Sequence, residues 1–398
     1  MKRLNIVLIL SVTMLISAIV ICMTFGNSTV GTIAVNTATQ DEATDNEEMR
    51  GLWVSYISLD MQGTDRSFDS FKSKFDKIVQ DASDFGCNTL IVQVRPFCDA
   101  LYNSQLFPAS HVLSGTQGVS ADYDALEYMC VATHSKNMKL HAWINPYRVS
   151  TAGTPASLAE SNPFVQDNSI GAEITSGIYL NPAKKAVRNL IVQGVEEIIR
   201  NYDVDGIQFD DYFYPPDCGS FDEEEFNTYR KSVNNITKAM YIDQWRQNNV
   251  NLMLSEVYRT IKSIDPSVVF GISPQGNIDN NYAIGADVKT WCENIGYADY
   301  ICPQMYYSVD NPTLKFEVSL QDWKDFSLHK DLKVYIGLGA YKAGTDADSG
   351  TWLNKNDVLA TELVLLRRYG YDGYMIYDYS ALVSESAEKE LSVFRSII

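Results

Sequence analysis

Between Arg50 and the C-terminus, eight short runs rich in β-branched and aromatic residues are spaced along the chain, and most are followed by a segment of helical apolar period. The strand-like runs cover residues 52–57, 89–95, 140–147, 206–212, 268–274, 300–306, 334–339 and 373–379. Helical segments are expected over 71–85, 184–202, 250–264, 286–295, 314–326, 357–369 and 385–397. In the second of these Val187, Leu190, Ile191, Val195 and Ile198 share one face. Alternation of this kind with no break in composition predicts an α/β fold, a closed (β/α)8 TIM barrel. A doubly wound open sheet is the alternative. It would carry a glycine-rich phosphate loop after its first strand, where this chain has only Gly51.

The connections differ by direction. Helix-to-strand turns are short, as at 86–88, 136–139, 203–205 and 370–372, whereas strand-to-helix loops are long, as at 96–121, 148–183 and 213–223. In a barrel the long set builds the functional face, so a substrate groove is expected there. The run Asp222 to Glu225 reads as a helix N-terminus complemented by the helix dipole.

Ahead of the barrel, Lys2 and Arg3 precede an apolar run over residues 4–25. Residues 1–26 therefore read as a signal peptide or an uncleaved N-terminal membrane anchor, and the chain as exported to the cell envelope or beyond. Residues 27–48 are polar and aperiodic, a flexible tether, and the barrel domain is expected over 49–398. With 32 Lys and Arg against 50 Asp and Glu, the net charge of −18 shows no basic stripe for nucleic acid. Cys130 and Cys302 lie in apolar patterns that suit buried thiols, while Cys98 and Cys218 lie in polar loops and could pair.

The chemistry collects at the strand ends. Strand 2 ends in Gln93 and Arg95; strand 3 in Trp143, Asn145, Tyr147 and Arg148; strand 4 in Gln208, Asp210, Asp211 and Tyr212. Gln275, then Gln304 and Tyr306, then Tyr341 and Lys342, then Asp378 follow on strands 5 to 8. Amides bond paired hydroxyls, aromatic faces stack on the C–H face of a sugar ring, and carboxylates do chemistry. Four scattered histidines and the cysteines show no zinc spacing, and no serine elbow or phosphate loop is present. A glycosidic bond breaks through an oxocarbenium-like state that one carboxylate stabilises or captures while a second, protonated carboxyl serves the leaving oxygen. Asp210 shares the inward face with Gln208 and is the better candidate for the first role. Asp211 and Asp378 are candidates for the second. Each has a plain structural alternative as a loop anchor. Arg95 and Arg148 would bind substrate or neutralise the strand 4 acids, and the strand-end aromatics would stack or fill the core.

In order along the chain, Arg50-Gly-Leu-Trp53, Gln93-Val-Arg95-Pro, Trp143-Ile-Asn145-Pro-Tyr147-Arg148, the run from Asp205 to Tyr214, Ser273-Pro and Pro303-Gln304-Met-Tyr306 resemble the glycosyl hydrolase-like 10 family. The resemblance runs from about Glu48 to the C-terminus. It implies a barrel enzyme of the bacterial envelope acting on a cell-wall glycan, the glycan strands of peptidoglycan or a related N-acetylhexosamine polymer, with no metal or organic cofactor. It adds Trp53 to the candidate substrate-binding residues and carries over only Asp210 and Asp211 as catalytic. Chitinase-like barrels offer a second comparison, with Asp-Gly-x-Asp-x-Asp-x-Glu on strand 4. Here Gln208 replaces the middle acid and Tyr212 the final Glu, so a proton donor must come from elsewhere. That departure leaves a non-catalytic wall-binding module as the alternative.

Overall fold

The computed structural model describes residues 48–151 and 153–398. The expected leader and most of the expected tether lie outside the described residues. Eight parallel staves form the barrel: β1 (Met49–Val54), β2 (Thr89–Arg95), β3 (Lys139–Ile144), β4 (Gly206–Phe209), β5 (Val269–Ile272), β6 in two pieces (Tyr300–Ile301 and Gln304–Met305), β7 (Lys333–Leu338) and β8 (Gly373–Ile376). Each pairs with the next, and β8 pairs back with β1 through Leu52 and Ile376, which closes the cylinder. The expected TIM barrel is therefore the observed fold. Several strands stop short of their expected ends: β1 at Val54 rather than 57, β3 at Ile144 rather than 147, β4 at Phe209 rather than 212, β5 at Ile272 rather than 274, and β8 at Ile376 rather than 379. The residues beyond those points belong to the mouth.

The helices outside are α1 (Phe68–Phe85), α2 (Ala125–His134), α3 (Lys185–Asn201), α4 (Ile242–Ile264), α5 (Val288–Glu293), α6 (Phe316–Lys324), α7 (Val358–Arg368) and α8 (Glu388–Arg395). In α1 the buried side chains Phe71, Phe75, Ile78, Val79, Ala82 and Phe85 keep a 3.6-residue period. Ser67 caps its start by accepting from the Ser70 N–H, and Gly86 ends it at φ 99°, a left-handed turn suited to glycine. Helix α2 was not expected: its buried residues, Ala125, Leu126, Met129, Cys130, Ala132 and Thr133, share one face, but polar Thr133 on that face and exposed Val131 off it blur the apolar period. Helix α4 starts eight residues earlier than its apolar period suggests; buried Trp245 anchors a polar first turn, and Gln244 Oε1 accepts from the Tyr241 N–H.

Four side chains stitch the bottom of the barrel. Asn88, Asp205, Asp299 and Asp372, each just ahead of an even-numbered strand, accept from the backbone N–H of Arg50, Leu140, Phe270 and Val334 on the preceding odd-numbered strand at 2.6–2.9 Å. At the other end the β3–α3 loop carries its own antiparallel sheet of Arg148–Thr151, Gly177–Leu180 and Gly171–Ile174. The β4–α4 loop carries the helix Glu223–Ser232, whose leading Asp222 is buried against Arg246 at 2.6 Å. All six described cysteines are buried and free. Cys98 and Cys218 are thus not a disulfide: each packs into the apolar core beneath its loop.

Candidate active site

Alternation along the staves decides what meets a ligand. Met49, Trp53, Ile91, Trp143, Tyr300, Cys302 and Met375 fill the barrel interior as one cluster. Above it, at the C-terminal ends of the strands, lies a cavity of about 210 Å³. Its floor and one wall come from Trp143, Gln208, Asp210, Asp211 and Tyr212; Ser273 and Gln304 continue the rim. Trp53, Tyr306, Tyr341 and Tyr377 form the facing aromatic wall, with ring centroids 5.4–6.4 Å apart in mostly edge-on contacts.

Asp210 sits one step past β4, in phase with inward Gln208, and is almost fully buried. Its Oδ2 accepts from Trp143 Nε1 at 2.9 Å and from Asn145 Nδ2 at 3.3 Å, and its Oδ1 from the Tyr212 N–H at 3.4 Å. Burial is the main force on its carboxyl and pushes its pKa up to about 7, with neighbouring Asp211 adding to the rise. The Arg148 guanidinium and the Trp143 bond pull the other way. Asp211 is only half-buried, faces the cavity, and accepts from Gln304 Nε2 at 3.2 Å. Burial raises its pKa as well, opposed by bonds from Gln304 and Gln275. Both acids enter the cavity because β4 has ended, so strict alternation no longer sends neighbours to opposite sides.

Gln208 is the least satisfied group in the site. It is 0 % exposed, lines the cavity, and neither Nε2 nor Oε1 has a hydrogen-bond partner. An unpaired buried amide costs roughly 1–3 kcal/mol, so this one is held in reserve for something that enters the cavity.

Other expected site residues fall in different places. Asn145 lies behind Asp210 and holds it, while its own Oδ1 accepts from the Arg148 N–H at 2.9 Å. Arg148 is clamped between the rings of Phe97 and Tyr212, 4.7 and 4.9 Å from their centroids, with Nε donating to the Pro96 carbonyl at 3.1 Å. It neutralises the strand 4 acids. Arg95 does not. A register shift between Gln93 and Arg95 on β2 turns Arg95 out of the barrel, where it packs 4.4 Å from the Phe107 ring against Gly194 of α3. Gln93 stays inside but accepts from the Tyr56 N–H below the cavity wall, and Tyr147 is core. Lys342 is paired with Asp348 at 3.0 Å. Asp378 stands off the cavity, accepting from Ser55 Oγ at 3.2 Å and Ser380 Oγ at 2.5 Å. Tyr377 takes the place at the wall. The inward position of Met375 two residues earlier was the signal for it, as that of Gly271, packed on interior Tyr300, was for Ser273. Among the described residues, no three His, Cys, Asp or Glu side chains converge to hold a metal ion.

A parallel eight-stranded barrel with paired carboxylates and aromatic rings at its mouth is the architecture of many glycoside hydrolases. Solved structures agree on the fold. The PgaB (BpsB) glycoside hydrolase domain from Bordetella bronchiseptica superposes with a TM-score of 0.59 at 13% identity, covering 87% of this chain and 99% of that one. A β-galactosidase from Rahnella sp. R3 gives 0.59 at 11% identity, covering 89% of this chain and 56% of that one. The chain belongs to the glycosyl hydrolase-like 10 family, whose model matches residues 48–353. It is 31% identical over 344 residues to glycosyl hydrolase YngK of Bacillus subtilis, covering 80% of this chain and 66% of the relative. It is 32% identical over 337 residues to glycosyl hydrolase DigH of Escherichia coli, covering 75% of this chain and 74% of the relative.

Proposed function

We propose that this protein is an exported glycoside hydrolase that cleaves the glycan strands of peptidoglycan or a related N-acetylhexosamine polymer. The observation that carries the reading is the pair Asp210 and Asp211: two carboxyls in one cavity, both pushed toward protonation by burial, beside an aromatic wall and an unpaired amide. Two such neighbours titrate as a unit, and burial that opposes charge on both favours the form in which the pair shares one proton and one negative charge. Glycosidic cleavage needs both at once.

We assign the two roles by depth. Asp210 is the deeper acid, fixed by Trp143 and Asn145, and suits the carboxylate that stabilises or captures the cationic ring. Asp211 is nearer the opening and suits the proton donor to the leaving oxygen. The rings of Trp53, Tyr306, Tyr341 and Tyr377 would stack on the C–H faces of the sugar. Gln208, with donor and acceptor side by side, would pair with adjacent hydroxyls. The apolar leader and the names of the two relatives support export and hydrolysis respectively.

The test is incubation of the protein with peptide-stripped glycan strands, read by new reducing ends and product masses. The wild-type protein should release fragments, and Asp210→Asn should abolish release while leaving the circular dichroism spectrum unchanged. Binding without new ends would point to a wall-binding module, the reading that Tyr212 in place of a strand-end Glu favours.

A further inference from the structure

A second cavity, about 400 Å³, opens among the loops that follow β1, β2 and β3, on the same face of the barrel. Tyr56, Asp60, Gln62, Arg66 and His111 line it, and residues 153–157 close its far side. None of them lines the catalytic cavity.

Beneath it the loops bury a polar network that the barrel itself does not need. Asp99, fully buried, accepts from the Phe97 N–H and Gln117 Nε2 at 3.3 Å each and faces His111 Nδ1 at 3.4 Å. Gln117 Oε1 accepts from the Ala159 N–H at 3.0 Å and from Asn162 Nδ2 at 3.2 Å. Asn162 Nδ2 also reaches the Cys98 carbonyl at 3.3 Å. Burying such groups costs desolvation, and what the network fixes is the β2 and β3 loops that wall the cavity. With Nδ1 directed at Asp99, the far ring nitrogen of His111 is left for a ligand.

A row of side chains packed in contact runs between the two cavities. Tyr56 lies 5.0 Å from Phe97, Phe97 4.7 Å from the Arg148 guanidinium, and Arg148 4.9 Å from Tyr212, which lines the catalytic cavity. We propose that the second cavity is a distal subsite that holds another sugar of the same strand while the scissile linkage lies over Asp210 and Asp211. The wall holds one acid, Asp60, and one base, Arg66, which donates Nη1 to the Ser114 carbonyl, and adds the Gln62 amide and the His111 imidazole, a balanced set of donors and acceptors that fits a neutral, hydroxyl-rich ring. The inference takes its ligand class from the proposed function but not the cleavage step, so the two can fail separately.

The experiment is calorimetric titration of size-fractionated, peptide-stripped glycan strands into the full-length protein carrying Asp210→Asn, which keeps the strands intact. Affinity should rise with strand length until both cavities are spanned. His111→Ala should weaken the longest strands about tenfold and leave the shortest unchanged. Gln62→Ala, at an exposed position that the fold does not use, should do the same to a smaller degree. With Asp210 restored, the same changes should raise KM on long strands at constant kcat. Length-independent binding, no binding, or an equal loss for short and long strands in both variants would overturn the subsite. Length-dependent binding by a protein that releases no reducing ends would uphold it and refute the hydrolase reading.

Discussion

Asp210→Asn tests the site through stability as well as activity. An aspartyl carboxyl moved from 3.8 to about 7 by burial keeps its proton in the folded protein while the unfolded chain loses it near 3.8. The folded state therefore carries no penalty below about pH 3.8, a growing one up to about 7, and a constant one beyond. At about 1.36 kcal/mol per pH unit the full penalty is about 4 kcal/mol. Asparagine cannot ionise and escapes it. Its Oδ1 can still accept from Trp143 and Asn145, and its Nδ2 spoils only the long contact with the Tyr212 N–H. That fixed loss is independent of pH, so the clean readout is how the stability gap between variant and wild type changes with pH. From pH 5 to pH 8 the gap should move in favour of the variant by roughly 2–3 kcal/mol. A barrel of roughly 350 residues unfolds with an entropy of about 0.7 kcal/mol per kelvin, so the melting temperatures should diverge by about 3–4 °C over that range. Scanning calorimetry of both proteins at matched rates, or urea titration at each pH, measures it. A gap that stays flat, or that widens toward pH 5, would refute the description of Asp210 as an acid held against its own solvation.

Three further outcomes follow from the same geometry. Gln208→Leu should leave the melting temperature unchanged or higher, because it removes an unpaired buried amide worth roughly 1–3 kcal/mol, yet lower kcat/KM on glycan strands at least tenfold. Arg148→Met should raise the pKa of Asp210 further by removing the cation that pulls it down, so the acidic limb of the pH–rate profile should move to higher pH. Arg95→Met should leave kcat and KM as they are and cost little stability, because Arg95 lies outside the barrel with Nε and Nη1 unpaired; a tenfold fall in kcat would restore it to the site.

The barrel was legible because its signals are repeated: eight runs of strand character and long connections at one end only. Much of the site was legible for the same reason, since inward phase along β4 identifies Gln208 and Asp210 together. What escaped were local breaks in that phase. One irregularity in β2 reverses Arg95, and nothing in the run Gln93-Val-Arg95-Pro announces it. At β8, the phase counted from buried Met375 selects Tyr377 for the wall, and attention to charge alone favoured Asp378 instead. Asn145 was read as a substrate-binding residue, and only the fold shows that it donates to Asp210.

The contrast between the two ends of the cylinder explains why the strand 4 acids are the ones to test. Asp205, Asp299 and Asp372 also flank strands, but they precede them, and each is answered by a backbone N–H of the neighbouring strand. Such an acid is stabilised by the sheet it stitches. Asp210 and Asp211 follow their strand, where the sheet has no N–H groups left to offer in that register. Asp210 is instead met by an indole and an amide, and burial outweighs both, so its charge is opposed rather than satisfied. A carboxyl that costs the fold stability can persist at a position only if something outside the fold uses it. The sign of the Asp210→Asn stability change therefore bears on function directly. Substituting a bottom acid, as in Asp205→Ala, removes the acceptor for the Leu140 N–H and should destabilise the barrel, whereas Asp210→Asn at the mouth should stabilise it at neutral pH. Opposite signs from removing an acid at the two ends of one strand would locate the chemistry without a substrate in hand.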